Sequence, residues 1–159
     1  MIWKNGLLDE GEAPVTQKMR QGLLAFRSCW REISYHIERF AQLDDDLFKI
    51  EVANSYINEV HNRYESTFGP YFRIVYTILY RIKHDRYLSE EDKNKFANLF
   101  RCQVSSFELT MIGINGLAPV SKDLSDYLNH FHFLKYAPEG ERRVTLRRCY
   151  PQEAFEGRG

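Results

Sequence analysis

A chain of 159 residues with 43% hydrophobic and 28% charged residues can bury one sizeable core, which excludes a disordered or staple-dependent protein. The 22 basic and 22 acidic residues cancel, so the net charge gives no reason to expect a nucleic-acid partner, although a local basic patch remains open. Three cysteines (Cys29, Cys102 and Cys149) have neither disulfide nor metal spacing and favour a reducing cytosol, and no apolar run approaches a membrane span.

The first predicted element is a long helix that begins near Thr16, after an N-terminal arm over residues 1–14. Its apolar residues alternate spacings of four and three, as in a coiled-coil seam. They are Met19, Leu23, Phe26, Trp30, Ile33, Ile37 and Phe40. This pattern predicts a helix packed on neighbours in the same chain, with a homodimer seam as the alternative. Leu24 broadens the stripe and favours packing within the chain.

The second helix is predicted over residues 47–66. Asp44, Asp45 and Asp46 precede it and are read as its N-cap and first turn rather than as a cation site, because the rest of a calcium loop is absent. The predicted inner stripe is Leu47, Ile50, Ile57, Val60 and Tyr64. Only Gly69-Pro70 separates this helix from the next, so the two are either separate helices or one long, kinked helix.

The third helix is predicted from Tyr71 to Lys83, and the fourth follows from an N-cap at Ser89 to about Val104. Apolar residues wrap most of the third helix, which predicts burial on all sides. They are Phe72, Ile74, Val75, Ile78, Leu79 and Ile82. Ser105 and Glu108 then form a capping-box pattern that restarts a helix, which Asn115-Gly116 should stop.

The last predicted helix runs from Lys122 to about His132 with Ser121 as its cap, and an irregular C-terminal tail follows over residues 137–159. Val144-Thr145-Leu146 in this tail is a possible short strand. The tail also holds a basic cluster of Arg142, Arg143, Arg147 and Arg148. The cluster is either solvated or a site for phosphate or an acidic partner. The predicted fold is all-α, a bundle of five or six helices over residues 15–136 with an irregular C-terminal tail.

Several polar residues interrupt the apolar patterns and form a predicted binding or structural cluster. Its members are Arg73, Arg101, Gln103, Ser105, Glu108 and Asn115. A buried arginine must be paired because an unpaired charge in a core is very costly. We therefore expect Glu108 to pair with Arg73 or Arg101. The cluster is either a structural network that fixes the break between helices or a ligand or partner pocket.

Two runs, YFRIVYTIL and FRCQVSSFELTMIGINGL, combine apolar residues with these polar positions. They resemble the bacterial family of putative phage abortive infection proteins, the AbiC-like group, which shows aromatic-Arg-x-x-Tyr-x-Ile-Leu, then Arg-x-Gln-Leu-Ser-x-x-Glu-Leu, then Asn-x-Leu. The matching positions are Phe72, Arg73, Tyr76, Ile78, Leu79, Arg101, Gln103, Ser105, Glu108, Leu109, Asn115 and Leu117. Val104 stands where the family usually has Leu. The resemblance continues weakly through 127–136 and covers about two thirds of the chain.

The resemblance implies a bacterial antiphage protein that acts by abortive infection, in which the infected host cell is damaged or arrested. Members of that family often carry transmembrane helices ahead of this domain. None is apparent here, so we expect a short soluble member or a trimmed one, and membrane attachment is not carried over. The resemblance transfers no catalytic residue.

A second resemblance concerns Arg31 and His36, which lie on the first helix with four residues between them. Arg-x4-His resembles the motif of HEPN ribonucleases, small all-helical dimers of bacterial defence. His36 would move a proton at the 2′-hydroxyl of RNA, and Arg31 would hold the phosphate. Glu32 departs from this motif, which prefers Asn, Asp or His there. The alternative is that both residues lie on the polar flank of the helix.

The remaining histidines, at positions 61, 84, 130 and 132, have no spacing that asks for a metal, so neither metal nor cofactor is expected. The leading hypothesis is an abortive infection effector or sensor that works through protein contacts, with a protein partner or a homodimer. The alternatives are a HEPN-like ribonuclease, the one reading in which RNA is a partner, and a non-toxic structural subunit of a defence complex. The expected location is the cytoplasm, with membrane association only through a partner.

Overall fold

The structure is a computed structural model that describes the backbone of residues 14–121 and 123–157 and, from residue 22, their side chains. The helices are α1 Pro14–Ile37, α2 Asp45–Tyr56, α3 Asn62–His84, α4 Glu90–Cys102, α5 Ser106–Asn115, α6 Leu124–His130 and α7 Glu141–Cys149. A π turn, Ile57–His61, joins α2 to α3 without a break, so the described residues form six separate helices and no strand. The predicted all-α bundle is confirmed.

Helix α1 packs within its own chain, as its seam predicts. Phe26, Trp30, Ile33 and Ile37 are buried, whereas Leu23 is exposed. The Phe26 ring meets aromatic rings of α3, with centroid distances of 5.0 Å to Phe68 and 4.8 Å to Tyr71. The predicted arm, apart from Pro14, lies outside the described residues, and so does the side chain of Met19.

Helix α2 begins at the predicted cap but buries a different stripe. The Asp44 carboxylate accepts a hydrogen bond of 3.0 Å from the backbone N–H of Leu47, which confirms the cap. Leu47 and Ile50 are 48% and 53% exposed, so their predicted inward position is wrong. The buried stripe is Phe48, Val52, Tyr56 and Val60. Both stripes have helical spacing, and the contacts of α2 with α5 and α7 select the second.

Helices α2 and α3 form one long, kinked helix, which was one of the two predicted possibilities. The kink lies at Tyr64, where the backbone leaves helical geometry at φ −125° and ψ 20°. Pro70 lies inside α3, so the helix continues through the predicted Gly69-Pro70 connection. The π turn places one extra residue in the helix just before the kink.

Helix α3 buries one face only, so the prediction that it is buried on all sides is wrong. Phe68, Phe72, Val75 and Leu79 are buried, but Ile74 is 60% exposed.

No helix within residues 14–121 and 123–157 is long and apolar enough to cross a membrane.

Helix α5 forms the centre of the core. Residues 109–115 are all buried. Its start is the predicted capping box, with Ser105 N–H donating to Glu108 Oε2 at 2.7 Å and Glu108 N–H donating to Ser105 Oγ at 3.3 Å. Ser89 caps α4 in the same way, by accepting a bond of 3.1 Å from Asp92 N–H. The predicted stop at Asn115-Gly116 is also confirmed.

The C-terminal segment packs on the body of the protein. Val144–Leu146 lies in α7, so the predicted strand is wrong. Leu146, Tyr150 and Phe155 are buried in the same core as α1 and α5. The Tyr150 hydroxyl donates to the carbonyl of Gly113 at 2.5 Å. Apart from α7, the described backbone after residue 137 is irregular or forms the short 3-10 turn Gln152–Phe155.

Candidate functional site

The predicted polar cluster is distributed over four places. Ser105 and Glu108 form the cap of α5. Arg73 and Asn115 line one pocket, Arg101 lines a second, and Gln103 lies beside an open apolar groove between α3 and α4. The structure therefore does not assemble these residues into one network.

Glu108 does not pair with either arginine, so the predicted ion pair is wrong. No carboxylate among the described residues other than Glu65 lies within 4.0 Å of Arg73, and none lies within that distance of Arg101. Glu108 instead bonds the backbone of Ser105 and lies beside the Tyr71 hydroxyl. Burial first, and then the negative charge and hydrogen bond of Glu108, raise the pKa of Tyr71 far above its ordinary value. The Glu108 carboxylate thus has two structural partners, the backbone of Ser105 and the hydroxyl of Tyr71.

The pocket that holds Arg73 and Asn115 is the candidate functional site. It has a volume of about 510 Å³ and lies where the π turn, the first half of α3, the end of α5 and the turn Pro119–Ser121 meet. Aromatic rings form much of its wall, from Tyr56, Tyr64, Phe68, Phe72 and Tyr76. Pockets that combine apolar walls with a few placed polar groups are the usual binding sites of proteins.

Asn115 forms a fixed polar floor in this pocket. Its side-chain amide donates to the Tyr56 hydroxyl at 2.6 Å, and its carbonyl oxygen accepts from the Ser121 hydroxyl at 2.9 Å. The Ser121 hydroxyl is therefore bonded to Asn115. The predicted role of Ser121 as a helix cap is wrong because α6 begins at Leu124. Burial raises the pKa of Tyr56 to about 12, against an opposing effect of the Asn115 hydrogen bond, so the Tyr56 hydroxyl stays neutral.

Arg73 stands at the mouth of the pocket rather than in the core. Its side chain is 68% exposed, and its Nη1 lies 3.7 Å from the carboxylate of Glu65. A Cβ at Gly69 would come within 3.2 Å of Glu65 Oε1 and 3.3 Å of Arg73 Nη1, so glycine leaves room for this pair. An exposed pair of this kind contributes little to stability. The guanidinium is therefore available to an incoming anionic group.

The second predicted site, Arg31 and His36, lies on α1, and within one chain its two side chains diverge. Five positions along a helix turn two side chains about 140° apart. His36 Nε2 instead lies 3.5 Å from Glu59 Oε2, in the π turn, while Arg31 is exposed. No hydrogen bond or ion pair joins the described side chains of Arg31 and His36. The structure thus gives His36 a carboxylate neighbour, which sequence spacing does not reveal.

His36 also belongs to a group that could hold a metal ion. One ligand atom each from Glu32, His36 and Glu59 lies within 4.8 Å of the others. Arg63 lies beside both carboxylates, with its Nη1 2.5 Å from Glu32 and 3.7 Å from Glu59. Its guanidinium supplies a positive charge to both carboxylates. Glu32 and His36 have the i, i+4 spacing of metal ligands, but only the π turn brings Glu59 to them.

The basic cluster of α7 is mostly engaged inside the protein. Arg143 donates to the carbonyls of Lys135 and Ala137, at 3.1 and 2.7 Å. Arg148 donates to the carbonyl of Leu43 at 2.5 Å and to Asp45 at 2.8 Å. Arg142 lies over the Phe107 ring at 4.0 Å, and Arg147 alone is exposed. These contacts fasten the C-terminal segment to the body and account for three of the four arginines without an external anion.

Comparison with known proteins identifies a family for this chain. A family model described as putative phage abortive infection protein matches residues 63–142, slightly more than half of the chain. The matched segment contains Arg73, Tyr76 and Asn115 of the candidate pocket, and also Arg101. Neither the curated proteins nor the solved structures give a significant match.

Proposed function

We propose that this chain, which belongs to the family of putative phage abortive infection proteins, restricts phage as an effector or sensor that works through contact with a partner protein. The observation that carries the proposal is the pocket lined by Arg73, Tyr76 and Asn115. Arg73 and Tyr76 lie on α3 and Asn115 ends α5, and all three fall in the family-matched segment. Among its described lining residues, no hydroxyl donates a hydrogen bond to a histidine or a carboxylate, so the pocket suits binding better than covalent catalysis.

The composition of the pocket matches the residues that dominate protein interfaces. Tyrosine and arginine are enriched among the side chains that carry binding energy, since they present large rigid surfaces with a polar end. Four tyrosines and phenylalanines of the wall come from α3 alone, at positions 64, 68, 72 and 76. Arg73 stands beside them with only a weak, exposed partner. The occupant we propose is a segment of a partner protein that places an acidic side chain on Arg73.

The test is phage plating efficiency, with host survival followed in the same cultures, for the wild type and for Arg73→Ala. We expect Arg73→Ala to restore plaques, because the acidic side chain of the partner protein loses the cation that binds it. The fold should be unchanged, since the Arg73 side chain is 68% exposed. Arg86→Ala is the matched control, because Arg86 is also an exposed arginine of the matched segment but lies outside the pocket. Full defence by Arg73→Ala would overturn the contact proposal.

A ribonuclease remains a second candidate, favoured by one observation. The Glu59 carboxylate lies 3.5 Å from His36 Nε2, and a carboxylate beside an imidazole orients it for proton transfer. In this alternative His36 acts as the base and Arg31 binds the phosphate. The third candidate function is a non-toxic structural subunit, which would leave infected hosts alive in the survival measurement.

A further inference from the structure

The guanidinium of Arg101 is buried, and no carboxylate of the described residues pairs with it. Arg101 is 8% exposed, and no acidic side chain among the described residues lies within 4.0 Å of it. Its Nη1 donates to the carbonyl of His132 at 3.0 Å, and its Nη2 donates to the side chain of Asn98. An arginine has five N–H donors, so three of them have no described acceptor, including the fully buried Nε–H. A buried charge of this kind needs an explanation.

The surroundings of Arg101 add positive charge. Arg101 lines a pocket of about 470 Å³ together with Lys95 and Lys135. Lys95 is paired with Glu91 at 2.9 Å, whereas Lys135 has no carboxylate within 4.0 Å among the described residues and lies over the ring of Tyr136, 5.3 Å from its centroid. Glu91 and Glu156 are the acidic residues of the described lining, so the cations are in excess. Asn94 and Asn98 add amide donors.

The backbone at this pocket is held in an uncommon conformation. His132 has φ of +50°, which makes it the one non-glycine residue with positive φ among residues 14–121 and 123–157. This conformation points the His132 carbonyl at Arg101, and the His132 ring Nδ1 lies 2.6 Å from the carbonyl of Glu153. Backbone strain of this type clusters at sites that bind ligands. An uncommon backbone conformation at His132 therefore accompanies the hydrogen bond that holds Arg101 in place.

We propose that this pocket binds a small molecule through its phosphate group, with Arg101 and Lys135 as the two cations that hold it. The planar guanidinium can donate two parallel hydrogen bonds to two phosphate oxygens, and the ammonium of Lys135 adds a second positive charge. Tyr136 lies under the Arg101 guanidinium at 4.5 Å and under the Lys135 ammonium, so one ring fixes the positions of both. This site is separate from the Arg73 pocket, and the proposal does not depend on the proposed function.

The test is thermal unfolding of the full chain in sodium phosphate and in sodium chloride of equal ionic strength. We expect phosphate to raise the midpoint of the wild type by about 2 °C or more. Lys135→Ala should lose most of this gain, because it removes a cation of the site while Arg101 and the fold remain. Lys49→Ala is the matched control, because Lys49 is an exposed lysine on α2, and it should keep the full gain. Equal gains in all three proteins, or no gain in any, would overturn the proposal.

Calorimetric titration with adenosine monophosphate and with adenosine then identifies the recognised group. Binding of the monophosphate that weakens about tenfold in Lys135→Ala and in Arg101→Lys supports the proposal. Affinity for the monophosphate above that for inorganic phosphate assigns a nucleotide, and equal affinity assigns the phosphate group alone. Binding of adenosine as tight as that of its monophosphate would contradict recognition of phosphate. Arg101→Lys keeps the charge but loses the fork, so circular dichroism must first establish that it folds.

Discussion

The Tyr56 hydroxyl accepts a 2.6 Å hydrogen bond from the side-chain amide of Asn115, a residue 59 positions later. Tyr56 is the last residue of α2 and Asn115 the last of α5, so the bond joins the ends of two helices in the core. The Ser121 hydroxyl adds a third element through its bond to the Asn115 carbonyl. One buried amide therefore ties together three segments beneath the candidate pocket.

Replacing Tyr56 by phenylalanine tests this connection. The change removes the acceptor but keeps the ring, so it leaves a donor of Asn115 buried and unpaired. We expect the free energy of unfolding to fall by about 1–3 kcal/mol, measured by urea denaturation. Tyr35→Phe is the control, because Tyr35 is 76% exposed and its loss should change stability by less than about 0.5 kcal/mol. Equal effects of the two changes would contradict the connection.

Two glycines should respond to alanine with opposite signs. A Cβ at Gly116 would stand 2.5 Å from the Tyr150 hydroxyl, which is itself held at the carbonyl of Gly113. Gly116→Ala should therefore destabilise the protein by about 1–3 kcal/mol. A Cβ at Gly22 meets nothing within 4 Å, and Gly22 lies inside α1, so Gly22→Ala should stabilise by about 0.5–1 kcal/mol. Denaturation of both variants against the wild type measures the two effects, and a stable Gly116→Ala would refute the close packing.

The buried thiols should make stability fall at alkaline pH. Burial raises the pKa of Cys29 to about 11 and that of Cys149 to about 12, from the ordinary thiol value of 9.0. Above about pH 9 the unfolded chain releases these protons while the folded chain keeps them, so rising pH favours unfolding. Urea denaturation between about pH 8 and about pH 9.5 should show this decline. Cys149→Ala should flatten it, and an unchanged slope would count against burial as the cause.

The same burial predicts which thiol reacts first. Cys102 is exposed, whereas Cys29 and Cys149 are buried. Since the thiolate is the reactive form, a thiol reagent should modify Cys102 in the folded protein and the other two only after denaturation. A peptide map of the labelled protein distinguishes the three. Rapid labelling of Cys149 in the folded protein would mean that α7 opens readily.

His36→Ala separates the two leading functions. In the ribonuclease alternative, the change should abolish both RNA cleavage and defence, because it removes the imidazole that lies beside Glu59. In the contact proposal, defence should remain near the wild-type level while Arg73→Ala loses it. Plating efficiency and an RNA cleavage assay on the purified protein give the two readings. Loss of defence without any cleavage activity, in a folded His36→Ala, would contradict both.

The local features of this fold could be predicted from the sequence. The helix caps at Asp44, Ser89 and Ser105 could be predicted because each depends on a side chain and a backbone N–H only three residues apart. The seam of α1 was readable because a single stripe fits its apolar residues. The family motif also pointed to Arg73 and Asn115, which share a pocket although 42 positions separate them.

The features that depend on distant contacts could not be predicted. In α2, Leu47 and Phe48 offer two stripes one residue apart, and only the packing on α5 and α7 chooses Phe48. For Arg73, an apolar neighbourhood in sequence suggested burial, but the exposed Ile74 beside it shows that this side of α3 faces outward. Arg101 is buried, yet its acceptors are a carbonyl and an amide rather than Glu108.

The π turn at Ile57–His61 makes the junction between α2 and α3 a spacer of fixed length. Loops tolerate insertions because their ends need not keep a rotational register. Here the helix is continuous, and the π turn already absorbs one extra residue, so deletion of one residue would be accommodated by conversion of the π turn to α-helix. Each further residue removed would rotate everything on one side by about 100° relative to the other. Such a rotation would carry Phe48 and Val52 out of the core or turn Glu59 away from His36. Sequences that diverge from this one should therefore vary in the identity of exposed residues along this segment while keeping its residue count constant to within one.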